Sequence, residues 1–151
     1  MKHSDLEKIE TSSRGKHALT AMIDLASLQQ GRPVPLSEIA AKRKISLSYL
    51  EQMFAGLRKH ELVKSHRGPG GGYVLGKPAA EITVASIMRA AEDTPTAQKI
   101  RDNSRRAHDL PNPSDLMWSN LSDMVYGLLD KVTLDDVISE RLVKYQEIFK
   151  T

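Results

Sequence analysis

Two groups of side chains in this chain have the types and spacing to hydrogen-bond a nucleic acid. The first lies between residues 47 and 59, where Ser48, Gln52, Ala55 and Lys59 recur along one helical face with Tyr49 and Glu51 flanking them. Glutamine can bond two atoms of adenine, glutamate can accept from the cytosine amino group, and serine serves either base or phosphate. Arg58 and Lys59 are placed for phosphates, which fix register rather than sequence. The second group is Arg67 and the run behind it, Gly68-Pro69-Gly70-Gly71-Gly72, which opens directly into Tyr73-Val74-Leu75. Glycine supplies left-handed turns and proline fixes one dihedral, so this run is a tight hairpin tip. It lets backbone approach a duplex closely, and arginine suits a narrow minor groove.

These side chains need two kinds of support. A helix from Leu47 to about His60 would carry the first group. Leu47, Leu50, Phe54 and Leu57 form its buried stripe and Ser46 its cap. A shorter helix, Leu36–Arg43, precedes it after a turn of a few residues. The pair makes a helix-turn-helix packed through Ile39, Ile45, Leu50 and Met53, with small Ala40 at the close approach. Arg43 and Lys44 stand where this motif more often has an apolar residue and a glycine. Leu62–His66 and Tyr73–Leu75 read as the hairpin strands, ended by Lys77-Pro78. The fold class expected is mainly α with a small β-wing: a winged helix-turn-helix domain over residues 1–80, then a linker loop and dimerisation helices over 81–151.

Elsewhere the periodicity predicts a helix from about Ser13 to Gln29, with Ala18, Met22, Leu25 and Ala26 inward and Gly31 as its stop. Residues 1–11 are expected to fray, and Val34 to form a short strand. Thr83 caps a helix from Val84 to about Glu92, with Ile87 and Met88 inward. Thr94–Ser114 is charged and carries three prolines, so it reads as a long loop with a helical turn near Lys99–Arg106. The helix expected from about Asp115 to Lys131 bears Met117, Trp118, Leu121, Met124, Val125, Leu128 and Leu129. That apolar face is too wide for one wall of a small domain, which favours a second copy of the chain against Trp118, Leu121, Val125 and Leu128. Thr133 and Asp136 have capping-box spacing for a last helix to about Phe149, with Val137, Ile138, Leu142, Tyr145 and Phe149 inward.

Composition narrows the partners. Residues 1–78 hold 13 Lys and Arg against 7 Asp and Glu, while residues 79–151 hold 9 against 12. A basic front half suits a polyanion. No apolar run is long enough to cross a bilayer and the N-terminus lacks the apolar centre of a signal peptide, so a cytoplasmic protein with no membrane partner is expected. The chain has no cysteine. Disulfides, thiolate metal sites and a cysteine nucleophile are thereby excluded. Gly71 to Lys77 mimics nucleotide-loop spacing, but Pro78 stands where a magnesium-binding hydroxyl belongs. The five histidines show no zinc spacing. Neither a metal, a cofactor nor an enzyme is expected.

In these segments the chain resembles the bacterial iron–sulfur cluster regulator (IscR)-like transcription factors. The matching stretches are Ser13–Met22, Val34–Ala40, Ile45–Gln52, Leu57–Lys59 and Val63–Gly76, with Trp118 in the helix corresponding to the family's dimerisation helix. The resemblance implies a homodimer of winged-helix subunits on double-stranded operator DNA, contacted through Ser46, Ser48, Tyr49, Glu51, Gln52, Arg58 and Arg67. Cluster-binding members carry three cysteines and often a histidine before the dimerisation helix; an ungapped match puts Ile100, Arg106, Asn112 and Asp115 there. Clusters need thiolates. The resulting reading is a cluster-free, sequence-specific repressor acting as a homodimer on a near-palindromic operator. Two alternatives stay beside it: a protein-interaction module on the same scaffold, and regulation by a small ligand or protein effector through residues 94–115.

Overall fold

The computed structural model describes residues 3–95, 99 and 113–139, with side chains from Ser13 onward. Helices α1 (His3–Leu28), α2 (Leu36–Arg43) and α3 (Leu47–Lys59) come first. Strands β1 (Val63–His66) and β2 (Gly72–Leu75) form a hairpin, and a 3-10 turn at Ala79–Glu81 leads to α4 (Val84–Glu92). After the undescribed stretch come α5 (Pro113–Leu129) and α6 (Leu134–Ile138). This is the expected mainly helical winged-helix fold.

The core is built from helical stripes. Ala18, Ala21, Met22 and Leu25 of α1 meet Ile39 of α2 and Leu50, Met53, Phe54 and Leu57 of α3, all buried. Ile82, Ile87, Ala90, Ala91 and Leu134 join the same cluster, so it runs continuously across residue 80. Gly56 lets α3 cross α4 closely, because a Cβ there would collide with the carbonyl of Ala90. Thr83 and Ser46 cap α4 and α3 as expected, and Thr133 with Asp136 closes a full capping box on α6.

The hairpin pairs Val63 with Leu75, Lys64 with Val74, Ser65 with Tyr73 and His66 with Gly72. Tyr73 also exchanges two backbone hydrogen bonds of 2.8 Å with Val34, a single-residue β-bridge in place of the short strand expected there. Its ring meets Phe54 edge-on at 5.0 Å between centroids.

Several expectations need correction. The first helix begins at His3, so residues 3–11 are helical backbone rather than frayed; no glycine or proline interrupts the chain between them and Ser13. Leu47 is 42% exposed, because it occupies the first helical position, beyond the reach of the core. Ile138 is exposed too, and α6 ends there, its C-cap Ser139 amide bonding the Asp135 and Val137 carbonyls. Leu142, Tyr145 and Phe149 lie outside the described residues. The fifth helix starts at Pro113, where the missing N–H costs nothing. Of the turn expected at Lys99–Arg106 only Lys99 is described, in helical conformation.

The two residues that depart from the usual helix-turn-helix pattern find physical roles. Arg43 grips the buried carboxylate of Asp24 on α1 with two hydrogen bonds, Nε to Oδ2 at 2.6 Å and Nη2 to Oδ1 at 2.7 Å. Lys42 adds a third at 3.2 Å. Lys44 takes the left-handed C-cap conformation, φ 54, with its amide on the Ala40 carbonyl. The Arg43 hydrogen bonds, opposed by burial and helped by Lys42, hold the Asp24 carboxyl below its ordinary value of 3.8. A lowered native pKa contributes stability above the unfolded value that is lost as pH falls through the native one. Asp24→Asn should therefore cost about 2 kcal/mol at neutral pH, the worth of hydrogen bonds to a charged group. Urea melts will show a lower midpoint at unchanged slope, and the gap from wild type will narrow as pH falls below 3.8 through the lowered native value.

Candidate nucleic-acid interface

Amphipathicity turns α3 so that its apolar side is sealed and its polar side is open. Ser48, Glu51, Gln52, Ala55, Arg58 and Lys59 are all exposed. They form the face expected to read bases and phosphates. Tyr49 behaves differently: it is half-buried against α1 and packed on the core. Its hydroxyl lies 3.3 Å from Nδ1 of His17, the two rings meet edge-on at 5.7 Å, and the Arg14 guanidinium sits 5.9 Å from the ring centroid. Ser46 spends its side-chain oxygen accepting from the Tyr49 amide at 3.4 Å. Its hydroxyl proton is left for another acceptor.

The far end of α3 is held by the end of α4. Lys59 Nζ and His60 Nε2 approach the same oxygen of Asp93, at 3.2 and 2.9 Å. The His60 imidazole first, then the Lys59 ammonium, holds the Asp93 carboxyl below its ordinary range. Next along the chain, buried Thr94 accepts from Arg14 at 3.4 Å. Asp93 and Thr94 thus touch the groups that support both ends of α3. Between them and Gln52, Ala55, Gly56 and Lys59 lies an open recess of about 360 Å³.

The hairpin tip projects Arg67 into solvent together with Gly68, Pro69 and Gly70. A turn closes it through the Gly71 amide on the Gly68 carbonyl at 2.9 Å. Gly68, Gly70 and Gly72 adopt φ of 98, 74 and 153. Gly72 is the most constrained, since a Cβ there would meet the Val34 carbonyl and the Pro35 nitrogen.

The fifth helix is tied to α4 near its C-terminal end. Arg89 of α4 holds Asp130 with two hydrogen bonds, at 2.9 and 3.3 Å, and lies over the Tyr126 ring, whose hydroxyl donates to Glu92. Toward its N-terminus Leu116, Met117, Leu121, Met124 and Val125 are each between 44% and 66% exposed, or 69% for Met124. Trp118 and Leu128 are half-buried.

Sequence reasoning missed Arg14, His17 and Asp93, which support the two ends of α3 from 32 to 35 positions away along the chain. No local pattern marks such partners. It named the residues of the open face and the tip, and those stand on two adjoining elements.

An iron–sulfur cluster does not fit this chain. No cysteine exists to supply a thiolate, and among the described residues no three His, Asp or Glu converge as metal ligands. Asp115, one of the four positions matched to cluster ligands, sits in the first turn of α5; Ile100, Arg106 and Asn112 lie outside the described residues.

Residues 11–140 match the Rrf2 family, described as iron-dependent transcriptional regulators. The chain is 41% identical over 132 residues to the HTH-type transcriptional regulator IscR of Photorhabdus laumondii, covering 87% of this chain and 80% of that one. It is 39% identical over 132 residues to IscR of Escherichia coli, covering 87% and 82%. Among solved structures it is similar to T. potens IscR, with TM-score 0.63 and 32% identity over 85% of each chain. It is also similar to CymR, the global cysteine regulator of B. subtilis, with TM-score 0.61 and 34% identity over 84% of this chain and 94% of that one.

The hairpin's anchorage can be tested without nucleic acid. Gly72→Ala should cost about 2–3 kcal/mol, because the methyl must displace the Val34 backbone. Gly70→Ala, in open space, should cost about 1 kcal/mol for its left-handed backbone alone. Chemical denaturation of the two variants will separate the costs; equal losses would contradict the anchoring role of the Val34–Tyr73 pair.

Proposed function

The chain belongs to the Rrf2 family of transcriptional regulators, which are DNA-binding proteins and not enzymes, and we propose that it acts as a cluster-free homodimeric repressor in the cytoplasm. In this reading α3 enters the major groove. Ser48, Glu51 and Gln52 face base edges, Tyr49 is set by His17 and Arg14, and Ser46, Arg58 and Lys59 meet phosphates. Arg67, carried by Gly68–Gly72, enters the neighbouring minor groove. The observation that carries the reading is the shared support of the two probes: Tyr73, at the root of the tip, packs edge-on against Phe54 of α3.

The apolar stripe on α5 supports the pairing of two subunits. Met117, Leu121 and Met124 recur at helical spacing and leave a solvent-facing apolar strip with Val125 beside it and half-buried Leu128 one turn on. A two-fold pair would present two reading heads to half-sites about one helical turn, or a multiple of it, apart. Repression follows if the operator overlaps a promoter.

Selection of bound sequences from a random pool should return a two-fold motif, and sedimentation should give a dimer. Gln52→Ala should cost about 1–3 kcal/mol and relax preference at one base-pair position. Arg67→Ala should weaken binding most where the minor groove is narrow. An asymmetric motif with a monomeric chain would refute the pairing, and unaltered binding by both variants would refute the residue assignment.

The contacts of Asp93 and Thr94 favour a second element of this reading, that an effector acts through residues 94–115. A small ligand or protein that shifts these two residues would shift the supports of α3. Deleting residues 96–112 should then abolish the response of operator affinity to the effector. A full response by the deleted form would place the effector elsewhere.

A further inference from the structure

Among the described residues, five Lys and Arg side chains are held by carboxylates. Arg32, Lys42, Arg43, Lys59 and Arg89 are paired with carboxylates, at distances from 2.6 to 3.2 Å. Those pairs belong to the helical scaffold. Arg58, Lys64, Arg67 and Lys77 have no carboxylate within ion-pair distance among the described residues. These four lie on the hairpin or on the last turn of α3; Arg14, Lys16, Lys44, Lys99 and Lys131, also without an ion pair among the described residues, are spread over other parts of the chain.

Three of these four converge. Arg58, Lys64 and Lys77 line one open recess of about 470 Å³ with Ser65 and a single acid, Glu61. The recess is built by the hairpin's own register. Lys64 lies on the hairpin face opposite the core, paired with Val74. The Gly76 amide donates to the Leu62 carbonyl at 2.9 Å, and a Cβ on Gly76 would strike the Glu61 carbonyl, so the segment carrying Lys77 is drawn flat against the end of α3. Glu61 takes a left-handed turn, φ 61, to let the chain double back there.

Lysine on an edge strand also guards against strand-to-strand aggregation, which would account for Lys64 alone. It does not account for Arg58 and Lys77 in the same recess. Like charges held together repel, and a cleft with three cations against one acid concentrates anions.

The position of the recess selects the anion. On α3, Arg58 stands about 100° from Lys59, on the hairpin side of the reading face. One sugar-phosphate strand separates a major groove from the adjacent minor groove. If α3 occupies the first and Arg67 the second, that strand must cross the space between helix and hairpin.

We propose that the recess formed by Arg58, Lys64, Ser65 and Lys77 is a phosphate site for this crossing strand, adding Lys64 and Lys77 to the DNA-binding surface. The inference rests on the DNA-reading geometry given above. It extends that geometry to contacts that carry no sequence information. Arg58 and the two lysines neutralise phosphates, and the Ser65 hydroxyl can donate to a phosphate oxygen.

The test is the salt dependence of duplex binding by the full chain. Each phosphate contact contributes about 0.9 to the slope of log affinity against log salt, so Lys64→Gln with Lys77→Gln should flatten it by roughly 1.8. Affinity should fall by the same factor on selected and unrelated duplexes. Lys64→Arg with Lys77→Arg should keep the wild-type slope, and thermal melts should coincide for all forms because the side chains are exposed. An unchanged slope in the glutamine double variant, with wild-type binding intact, overturns the proposal. So does a loss confined to one base pair, or a recess that captures an acidic protein while duplex binding is unaffected. A wild-type chain that binds selected duplex with no effect of Gln52→Ala or Arg67→Ala instead refutes the underlying geometry, whatever the lysines do.

Discussion

Tyr73 is where three parts of the molecule are fastened together. Its backbone exchanges two hydrogen bonds with Val34, in the turn before α2, and its ring packs on Phe54 in the middle of α3. Its own strand carries the hairpin tip. Without that junction the hairpin would be a two-stranded ribbon, which has little independent stability in water. With it, the arginine at the tip and the polar face of the helix keep a fixed separation. A protein that must meet two grooves of one duplex needs that separation set before binding, because ordering it afterwards would cost conformational entropy. The absence of a side chain at Gly72 is part of the same joint, since it lets the hairpin reach the Val34 backbone.

Charge is sorted by the same architecture. Carboxylates are spent where helices must be held: Asp24 on Arg43 and Lys42, and Asp130 on Arg89. The hairpin is left with cations and few acids. Net charge alone, +3 for the whole chain, hides this division. Cations gathered without carboxylate partners at the hairpin and the end of α3 give a modestly charged protein a local positive field there.

What could be read from residue order was local. Ser46 and Thr83 as caps, the glycine-rich tip and the capping box at Thr133 involve partners within a few positions, and each appears as expected. The helix-turn-helix spacing was legible for the same reason. Of the two departures from the motif, Arg43 is explained by Asp24, nineteen positions earlier, and Lys44 by its left-handed cap conformation. Leu47 fitted a stripe counted by threes and fours, but a stripe says nothing about where the core ends. The support of Tyr49 by Arg14 and His17 depends on which helices touch, which no periodicity encodes. The residues that do the proposed reading were visible because exposure and chemistry are local properties; those that hold them still were not.

Asp93 has a further consequence for how such a protein would travel along a chromosome. Its carboxylate already occupies the ammonium of Lys59, the group proposed for a phosphate. On the proposed reading, a duplex displaces this resident competitor before Lys59 meets a phosphate. Both partners are well exposed, so eviction costs at most about 1 kcal/mol, near a five-fold loss of affinity. The penalty is equal for an operator and for arbitrary DNA, and the ratio between them is untouched. What changes is the dwell time on every wrong stretch, which shortens and so quickens the search.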